Sequence, residues 1–195
     1  MGKSTAGQLL AQRGVAVSDT DMIARQLTER GQPALEEISQ RLGPQVLHPD
    51  GGLNRVELAR MVFADAGARA ALEAILHPRI RAHWEAEAKG WRAAGRDYGA
   101  ILIPLLFETE AAPRFDAVIC VACAEAAQWR RLRLRGWTED HIRQRLEAQW
   151  PVAKKIDRSD FVVWTDTTLE IHAAQLERVV FQRQITSSGA SGAPV

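Results

Sequence analysis

Residues 1–21, MGKSTAGQLLAQRGVAVSDTD, contain the stretch that decides the fold. Residues 2–5, Gly-Lys-Ser-Thr, open a segment with helical spacing that stops at Gly14, and residues 15–19 form a short apolar run that ends in acid. Gly-Lys-Ser before a helix is the second half of a phosphate-binding loop, because the backbone donors and dipole of a helix start favour an anion. Three common residue types also meet by chance, so the segments that follow decide how the motif is interpreted.

The composition is that of an ordinary globular chain. Its 195 residues, 46% hydrophobic and 25% charged, fit one domain with a core of ordinary size. There are 25 Lys and Arg against 24 Asp and Glu, and this balance predicts binding to neither nucleic acid nor membrane. The longest apolar run, residues 100–107, is too short to span a bilayer. We expect a cytoplasmic monomer.

Apolar, strand-like runs alternate with helical patterns along much of the chain. Four runs have strand character: residues 15–19, 98–104, 115–122 and 160–165. Between the first two, residues 33–91 are nearly all helical apart from a turn-rich connection. This order predicts an α/β fold with a parallel sheet covered on both faces and a helical insertion. The small, polar tail 186–195 is expected to be disordered.

Two acids, Asp19 and Asp21, stand at the carboxyl end of the first strand-like run. Ligands of open parallel sheets bind beyond the carboxyl ends of the strands, so either acid is placed to orient a metal ion or accept a proton. Asp is also a common helix cap, and one of the two acids can serve only to begin the next helix. The residues alone leave both interpretations open.

Cys120 and Cys123 form a C-x-x-C pair, a spacing that elsewhere binds metal or exchanges disulfides. They lie in the apolar run FDAVICVACAE, where residues three apart point to opposite faces of a strand. The sequence contains no second Cys or His pair at zinc spacing. We therefore interpret both cysteines as buried structural residues.

A more specific pattern runs through the whole chain. Its strongest signatures are the D-x-D-x-I-A-R block at 19–25, Leu-His-Pro at 76–78 and Pro-Leu-Leu-Phe-Glu at 104–108. Together with the segments QPALEEISQRLG and QWRRLRLRGWTEDHIRQRLEAQWP, they resemble the dephospho-coenzyme A kinase family, in order and spacing, over residues 2–181. The resemblance implies ATP-dependent phosphorylation of the ribose 3′-hydroxyl of dephospho-coenzyme A, the final step of coenzyme A synthesis.

The same resemblance implies a P-loop kinase three-layer fold with a parallel sheet. It implies a single domain over residues 1–185, a helical, acceptor-binding insertion at about 32–92 and a lid at about 131–151. The family begins with an apolar strand and a loop of the form GGIGxGKST, of which this chain has only residues 1–5. We therefore expect that the first, central strand is missing from this chain and that the natural protein begins roughly ten or more residues upstream.

The family pattern gives the phosphate-loop residues roles toward ATP and Mg²⁺. Gly2 belongs to the loop, Lys3 would bind the β and γ phosphates, and Thr5 would contact the α phosphate. Ser4 would bind Mg²⁺ through its hydroxyl. Phosphoryl transfer depends on such positioning and charge compensation more than on covalent chemistry.

The acids and arginines take the remaining catalytic roles that the resemblance implies. Asp21 is the expected base for the 3′-hydroxyl proton, and Asp19 would support the metal through water. Arg131 and Arg135 are four apart, which predicts that they share one helix face in the lid and pair with phosphate oxygens. Two further arginines, Arg130 and Arg133, are expected to face solvent.

The acceptor is expected to bind to the insertion and to the segment after the second strand. The candidate residues are His77, Leu105, Leu106, Phe107 and Glu108. Core packing alone would explain the apolar members, and Glu108 can simply begin a turn. His77 precedes Pro78, so the pair predicts a sharp helix boundary first and a ligand contact second.

One further departure from the family and two rival functions accompany this hypothesis. Thr165 stands near a position where the family commonly has Asn, which puts an adenine contact there in doubt. One rival is a P-loop kinase for another small molecule. The other is a non-catalytic remnant that binds coenzyme A or a partner protein without ATP turnover.

Overall fold

A computed structural model describes residues 2–181, with the side chain of Arg145 excepted. The chain divides into two compact units. The first contains Met1–Val15 and Pro104–Val195, and the second contains Ala16–Ile103. The expected disordered tail, residues 186–195, and the expected end of the domain at residue 185 lie outside the described residues.

The second unit is mainly helical. The first helix of the chain, α1 (Lys3–Ala11), belongs to the other unit. The elements of the second unit, in chain order, are β1 (Ala16–Asp19), α2 (Thr20–Leu27), α3 (Pro33–Leu42), α4 (Arg55–Ala64), α5 (Ala66–Ala93) and β2 (Gly99–Leu102). A short 3₁₀ turn, Pro44–Val46, lies between α3 and α4. The helical pattern that the sequence predicts over 33–91 is therefore present.

The first unit contributes the remaining elements. In chain order they are α1 (Lys3–Ala11), a short 3₁₀ turn (Ala112–Arg114), β3 (Ile119–Ala122), α6 (Glu125–Arg133), α7 (Glu139–Glu147), α8 (Val152–Asp157), β4 (Phe161–Trp164) and α9 (Leu169–Phe181). Helices α1 and α9 pack against each other, and α8 packs on β3. Both cysteines are buried here, Cys120 within β3 and Cys123 just after it.

All four predicted strands form, and they pair in parallel. β1 pairs with β2 so that Asp19 lies opposite Leu102, and β3 pairs with β4 so that Ala122 lies opposite Trp164. The predicted α/β class is confirmed. In residues 2–181 the strands make two sheets of two strands each, one in each unit. The expectation of a missing first strand stays a prediction.

The core of the second unit explains why its helices pack as they do. Five buried residues from three helices and the 3₁₀ turn form one cluster: Ala34, Ile38, Val46, Leu58 and Ile75. Partly buried leucines, a methionine and a valine of helices α2 to α5 and the α3–α4 connection pack against it. Burial of this apolar surface fixes α3 and α4 against α5.

The helix boundary that we predicted at His77 and Pro78 is wrong. α5 is 28 residues long, Ala66–Ala93, and continues through Pro78. Ile75 is 4% exposed in the turn before the proline, so burial of this helix outweighs the lost backbone hydrogen bond. The Arg79 side chain adds contacts at this turn, because its Nη1 donates to the Ile75 carbonyl at 2.8 Å while its Nη2 binds Glu37 at 2.6 Å.

Across residues 2–181, none of the helices combines the length and apolar character that crossing a bilayer requires.

Candidate active site

The start of α1 lies beside the carboxyl end of β4. Gly2 caps the helix with φ +90°, in the left-handed region that favours glycine, and its carbonyl accepts from the Ala6 N–H at 2.9 Å. A Cβ at Gly2 would lie 3.1 Å from Cγ2 of Thr165, the first residue after β4. Lys3 is the first helical residue. A helix start with this geometry favours a phosphate group.

Arg131, predicted as a phosphate ligand, is anchored at the same strand end. Its Nη1 donates to Thr165 Oγ1 at 2.8 Å, and its Nη2 donates to the Thr165 carbonyl. Asp166 Oδ1 lies 3.9 Å from Nη2, and the other oxygen of that carboxylate accepts from the Ala124 N–H. Thr165 therefore contacts both Gly2 and Arg131, and brings two of the predicted site residues together.

The prediction that Arg131 and Arg135 share a helix face is wrong. α6 ends at Arg133, and Arg135 lies in the turn beyond it. Gly136 has φ +79°, a conformation that ends a helix and redirects the chain. Arg130 and Arg133 are exposed, as the sequence predicts.

His172 of α9 belongs to this region, although no sequence pattern pointed to it. The residue is 4% exposed, and its Nε2 is buried without a hydrogen-bond partner among the described residues. Burial lowers the pKa of His172, and the positive charge of Arg131 lowers it further. The imidazole is therefore neutral at neutral pH.

The acids of the second unit lie at the carboxyl edge of the β1–β2 sheet. Asp19 caps α2, since its Oδ1 accepts from the Asp21 N–H at 2.9 Å. The capping role that the sequence left open is thus present, and Asp19 fills it. Thr20 Oγ1 donates to the Leu102 carbonyl at 3.0 Å, which ties the ends of the two strands together. The side chain of Asp21 is exposed.

The candidate acceptor residues have different surroundings. Leu105, Leu106 and Phe107 are half-buried in the turns after β2, and His77 is half-buried inside α5 of the second unit. Glu108 is engaged by the protein itself. Its Oε1 accepts from Lys155 Nζ at 2.9 Å and from the Trp150 N–H at 2.8 Å.

Sequence reasoning missed three residues that shape these sites: Lys155, Asp166 and His172. Asp166 had a signal, because it follows β4 as Asp19 ends β1. Lys155 and His172 had none, since a single Lys or His in a helix pattern normally faces solvent.

Parallel strands whose carboxyl ends lie beside a Gly-Lys-Ser helix start are typical of the α/β class of phosphate-binding proteins. A family model described as dephospho-CoA kinase matches residues 1–170. The chain belongs to the dephospho-CoA kinase family, and the sequence prediction of a kinase of this family is confirmed.

Individual relatives agree with this assignment. A dephospho-CoA kinase of Bdellovibrio bacteriovorus is 36% identical over 92% of this chain and 89% of its own length. A dephospho-CoA kinase of Anaeromyxobacter dehalogenans is 41% identical, over 92% and 85% of the two chains.

Solved structures match the fold. The crystal structure of TT1252 from Thermus thermophilus has a TM-score of 0.76 at 31% identity and covers 98% of this chain and 93% of its own. A dephospho-CoA kinase from Campylobacter jejuni has a TM-score of 0.68 at 22% identity, covering 96% and 93%, and supports the fold alone.

Proposed function

We propose that this protein transfers the γ-phosphoryl group of ATP to the ribose 3′-hydroxyl of dephospho-CoA. The family assignment supports the reaction, and a kinase family implies ATP as a substrate. The observation that carries the proposal is the arrangement at the end of β4, where Thr165 contacts both Gly2 of the helix start and Arg131. A positive helix end and a guanidinium at one strand edge match the charge of a polyphosphate.

In this proposal, Lys3 binds the β and γ phosphates, Thr5 contacts the α phosphate, and Arg131 compensates charge as the phosphoryl group moves. Arg131 needs a fixed position for this role, and its two hydrogen bonds to Thr165 supply it. Arg135, exposed in the turn beyond α6, is proposed as a further phosphate ligand.

Mg²⁺ fits the donor types available. Residues 2–181 contain no group of three or more His, Cys, Asp or Glu side chains placed to hold a metal. Mg²⁺ seldom requires such a group, because it is commonly held by one or two protein oxygens together with phosphates and water. The exposed hydroxyl of Ser4 in the first turn of α1 would hold the ion, with Asp19 acting through water. The bound ion would compensate phosphate charge.

Asp21 is the proposed base for the proton of the 3′-hydroxyl. Its exposed side chain lies at the carboxyl edge of a parallel sheet, which is where substrates of α/β enzymes bind. The acceptor residues proposed are His77, Leu105, Leu106 and Phe107. Glu108 is not included among these direct contacts, because its Oε1 already binds the protein. The monomeric state and cytoplasmic location stay predictions.

The decisive experiment measures phosphate transfer from Mg-ATP to dephospho-CoA by the full chain, with the product identified by mass spectrometry and ³¹P NMR. The matched control is 3′-deoxy-dephospho-CoA, which lacks only the acceptor hydroxyl. We expect a 3′-phosphorylated product from dephospho-CoA and none from the control. Transfer to a different acceptor, or saturable binding of coenzyme A without any ATP turnover, would refute the proposal in favour of one of the two rivals.

A further inference from the structure

Lys155 is a buried cation whose hydrogen-bonding capacity is filled by the protein. The residue lies in α8 and is 6% exposed. Its ammonium group lies 2.9 Å from Glu108 Oε1, 3.1 Å from the Pro104 carbonyl and 3.5 Å from Gln149 Oε1. Three N–H donors thus meet three acceptors.

Two of these acceptors bracket one short segment. Pro104 begins the turns that follow β2, and Glu108 lies four residues later, so Lys155 contacts both ends of residues 104–108. Between the two contacts lie the apolar residues 105–107, which we propose as part of the acceptor site. Lys155 therefore braces this segment against α8.

The brace, by which we mean the Lys155–Glu108 pair and its contacts, also includes the backbone of Trp150. The oxygen that binds Lys155 also accepts from the Trp150 N–H at 2.8 Å. Burial raises the pKa of Glu108, but the hydrogen bonds from Lys155 and from the Trp150 backbone outweigh it and leave the pKa below its usual range. Glu108 is ionised at neutral pH, so the brace is an ion pair.

The same contacts place an aromatic ring against the segment. The rings of Phe107 and Trp150 are stacked, with centroids 6.1 Å apart and planes 5° from parallel. Lys154 Nζ lies 3.5 Å from the centre of the Trp150 ring. The position of the Phe107 ring thus depends on Trp150, whose backbone Glu108 fixes.

Stability alone is a weak reason for such a pair. The desolvation cost of two buried charges commonly equals or exceeds their attraction, and apolar replacements are often at least as stable. The Glu108 Oε2 atom is also buried without a hydrogen-bond partner among the residues that the structure describes. The brace has a geometrical consequence instead, since it fixes where residues 104–108 and the Phe107 ring lie.

We propose that Lys155 and Glu108 are positioning residues, which hold residues 104–108 and Trp150 in the arrangement that binds dephospho-CoA, and that neither needs to touch the substrate. This inference rests on the proposed function. It replaces the direct substrate contact predicted for Glu108 with an indirect one, through Phe107 and its neighbours.

The test compares Lys155→Met, Glu108→Gln and the double variant with the wild-type protein. Lys155→Met leaves a buried carboxylate without its cation, whereas the double variant has no buried charge and should recover most of the lost stability. If the pair only stabilised the fold, the double variant would also recover the KM for dephospho-CoA. We expect instead that its KM for dephospho-CoA stays raised by about 10-fold, the lower end of the loss caused by removing residues that orient metal ligands. Its KM for ATP should stay within about 2-fold of the wild-type value.

The control is the exposed ion pair of the same unit, Arg13 and Glu177, whose side chains are 35% and 53% exposed. Removing both charges there should leave both KM values unchanged. Dephospho-CoA binding without ATP, measured by calorimetry, should weaken in parallel with KM. A folded double variant with wild-type KM and affinity overturns this inference alone. A wild-type protein that transfers no phosphate overturns the proposed function and, with it, this inference.

Discussion

Arg131 and Glu108 in the first unit differ from Asp21 in the second, although the sequence analysis predicted all three as site residues. Arg131 is anchored by Thr165, and Glu108 by Lys155 and the Trp150 backbone. Asp21 has an exposed side chain beside a helix cap that Asp19 makes. Substitution of Arg131 or Glu108 alone should therefore change stability and activity together, whereas substitution of Asp21 should mainly change activity.

The largest effect expected is that of Asp21→Asn. Loss of a general base costs about 10²- to 10⁴-fold in kcat, while an exposed Asp→Asn change should alter the free energy of unfolding by no more than about 0.5 kcal/mol. Steady-state kinetics with Mg-ATP and dephospho-CoA, together with urea unfolding, measure both. Asp65 is the control, because it is an exposed acid of the same unit at the start of another helix. Asp65→Asn should leave kcat unchanged, and an equal loss of kcat in the two variants would contradict the role of Asp21 as the base.

Arg131→Met should reduce activity and stability at once. The guanidinium makes two hydrogen bonds to Thr165, and hydrogen bonds that involve a charged group are worth about 1.5–3 kcal/mol. We expect a loss of that order in urea unfolding, together with a raised KM for ATP. Arg135→Met, in the exposed turn beyond α6, should change the unfolding free energy by no more than about 0.5 kcal/mol. Equal stability of the two variants would show that the Thr165 anchor contributes nothing.

Low pH should reduce the stability of the first unit, because Glu108 becomes protonated. The pKa of this residue in the folded protein lies below its ordinary value of 4.5, because the Lys155 and Trp150 hydrogen bonds outweigh burial. The stability that its charge contributes is complete above pH 4.5 and is lost progressively as the pH falls from there through the folded pKa. The urea midpoint of the wild-type protein should therefore fall as the buffer pH is lowered below 4.5. In Glu108→Gln the midpoint should depend less on pH over the same range. An equal fall in that variant would assign the acid sensitivity to other carboxylates.

A second and smaller loss of stability, at higher pH, should come from protonation of His172. Its folded pKa lies below the ordinary 6.5, through burial and then the charge of Arg131. The unfolded chain takes up the proton first as the pH falls, so the stability contributed by the neutral imidazole is complete above pH 6.5 and declines below it. His172→Gln should remove this decline. In Arg131→Met, the pKa of His172 in the folded protein should rise, so the loss of stability at low pH should become smaller. An unchanged dependence of stability on pH in that variant would exclude electrostatic coupling between the two residues.

Local patterns were sufficient for the elements of the fold. The four strands and the helical stretch between the first two follow from apolar runs and helical spacing, which a sequence shows directly. The boundary expected at Pro78 failed because burial of Ile75 in the same helix outweighs a local preference. The prediction that Arg135 shares a helix face with Arg131 was wrong because α6 ends before Arg135, at the turn that contains Gly136.

The partners of the site residues were beyond local patterns. Glu108 was recognised as an acid after a strand, but its partner Lys155 lies in a helix far along the chain. Thr165 was noted only as a departure from the family, whereas it is the residue that contacts both Gly2 and Arg131. A sequence shows the types of residue in a site, while long-range pairing decides which of them the fold itself engages.

The continuity of α5 has a consequence for the dynamics of the second unit. Helices α2, α3 and α4 all pack against α5, so its opening would disrupt all three. Backbone amides on its buried face near Ile75 should therefore be among the slowest of the unit to exchange with deuterium. Pro78 carries no amide and leaves the Ala74 carbonyl without its usual helical donor. The gap removes one hydrogen bond from the helix, and the packing around Ile75 should keep the neighbouring amides protected.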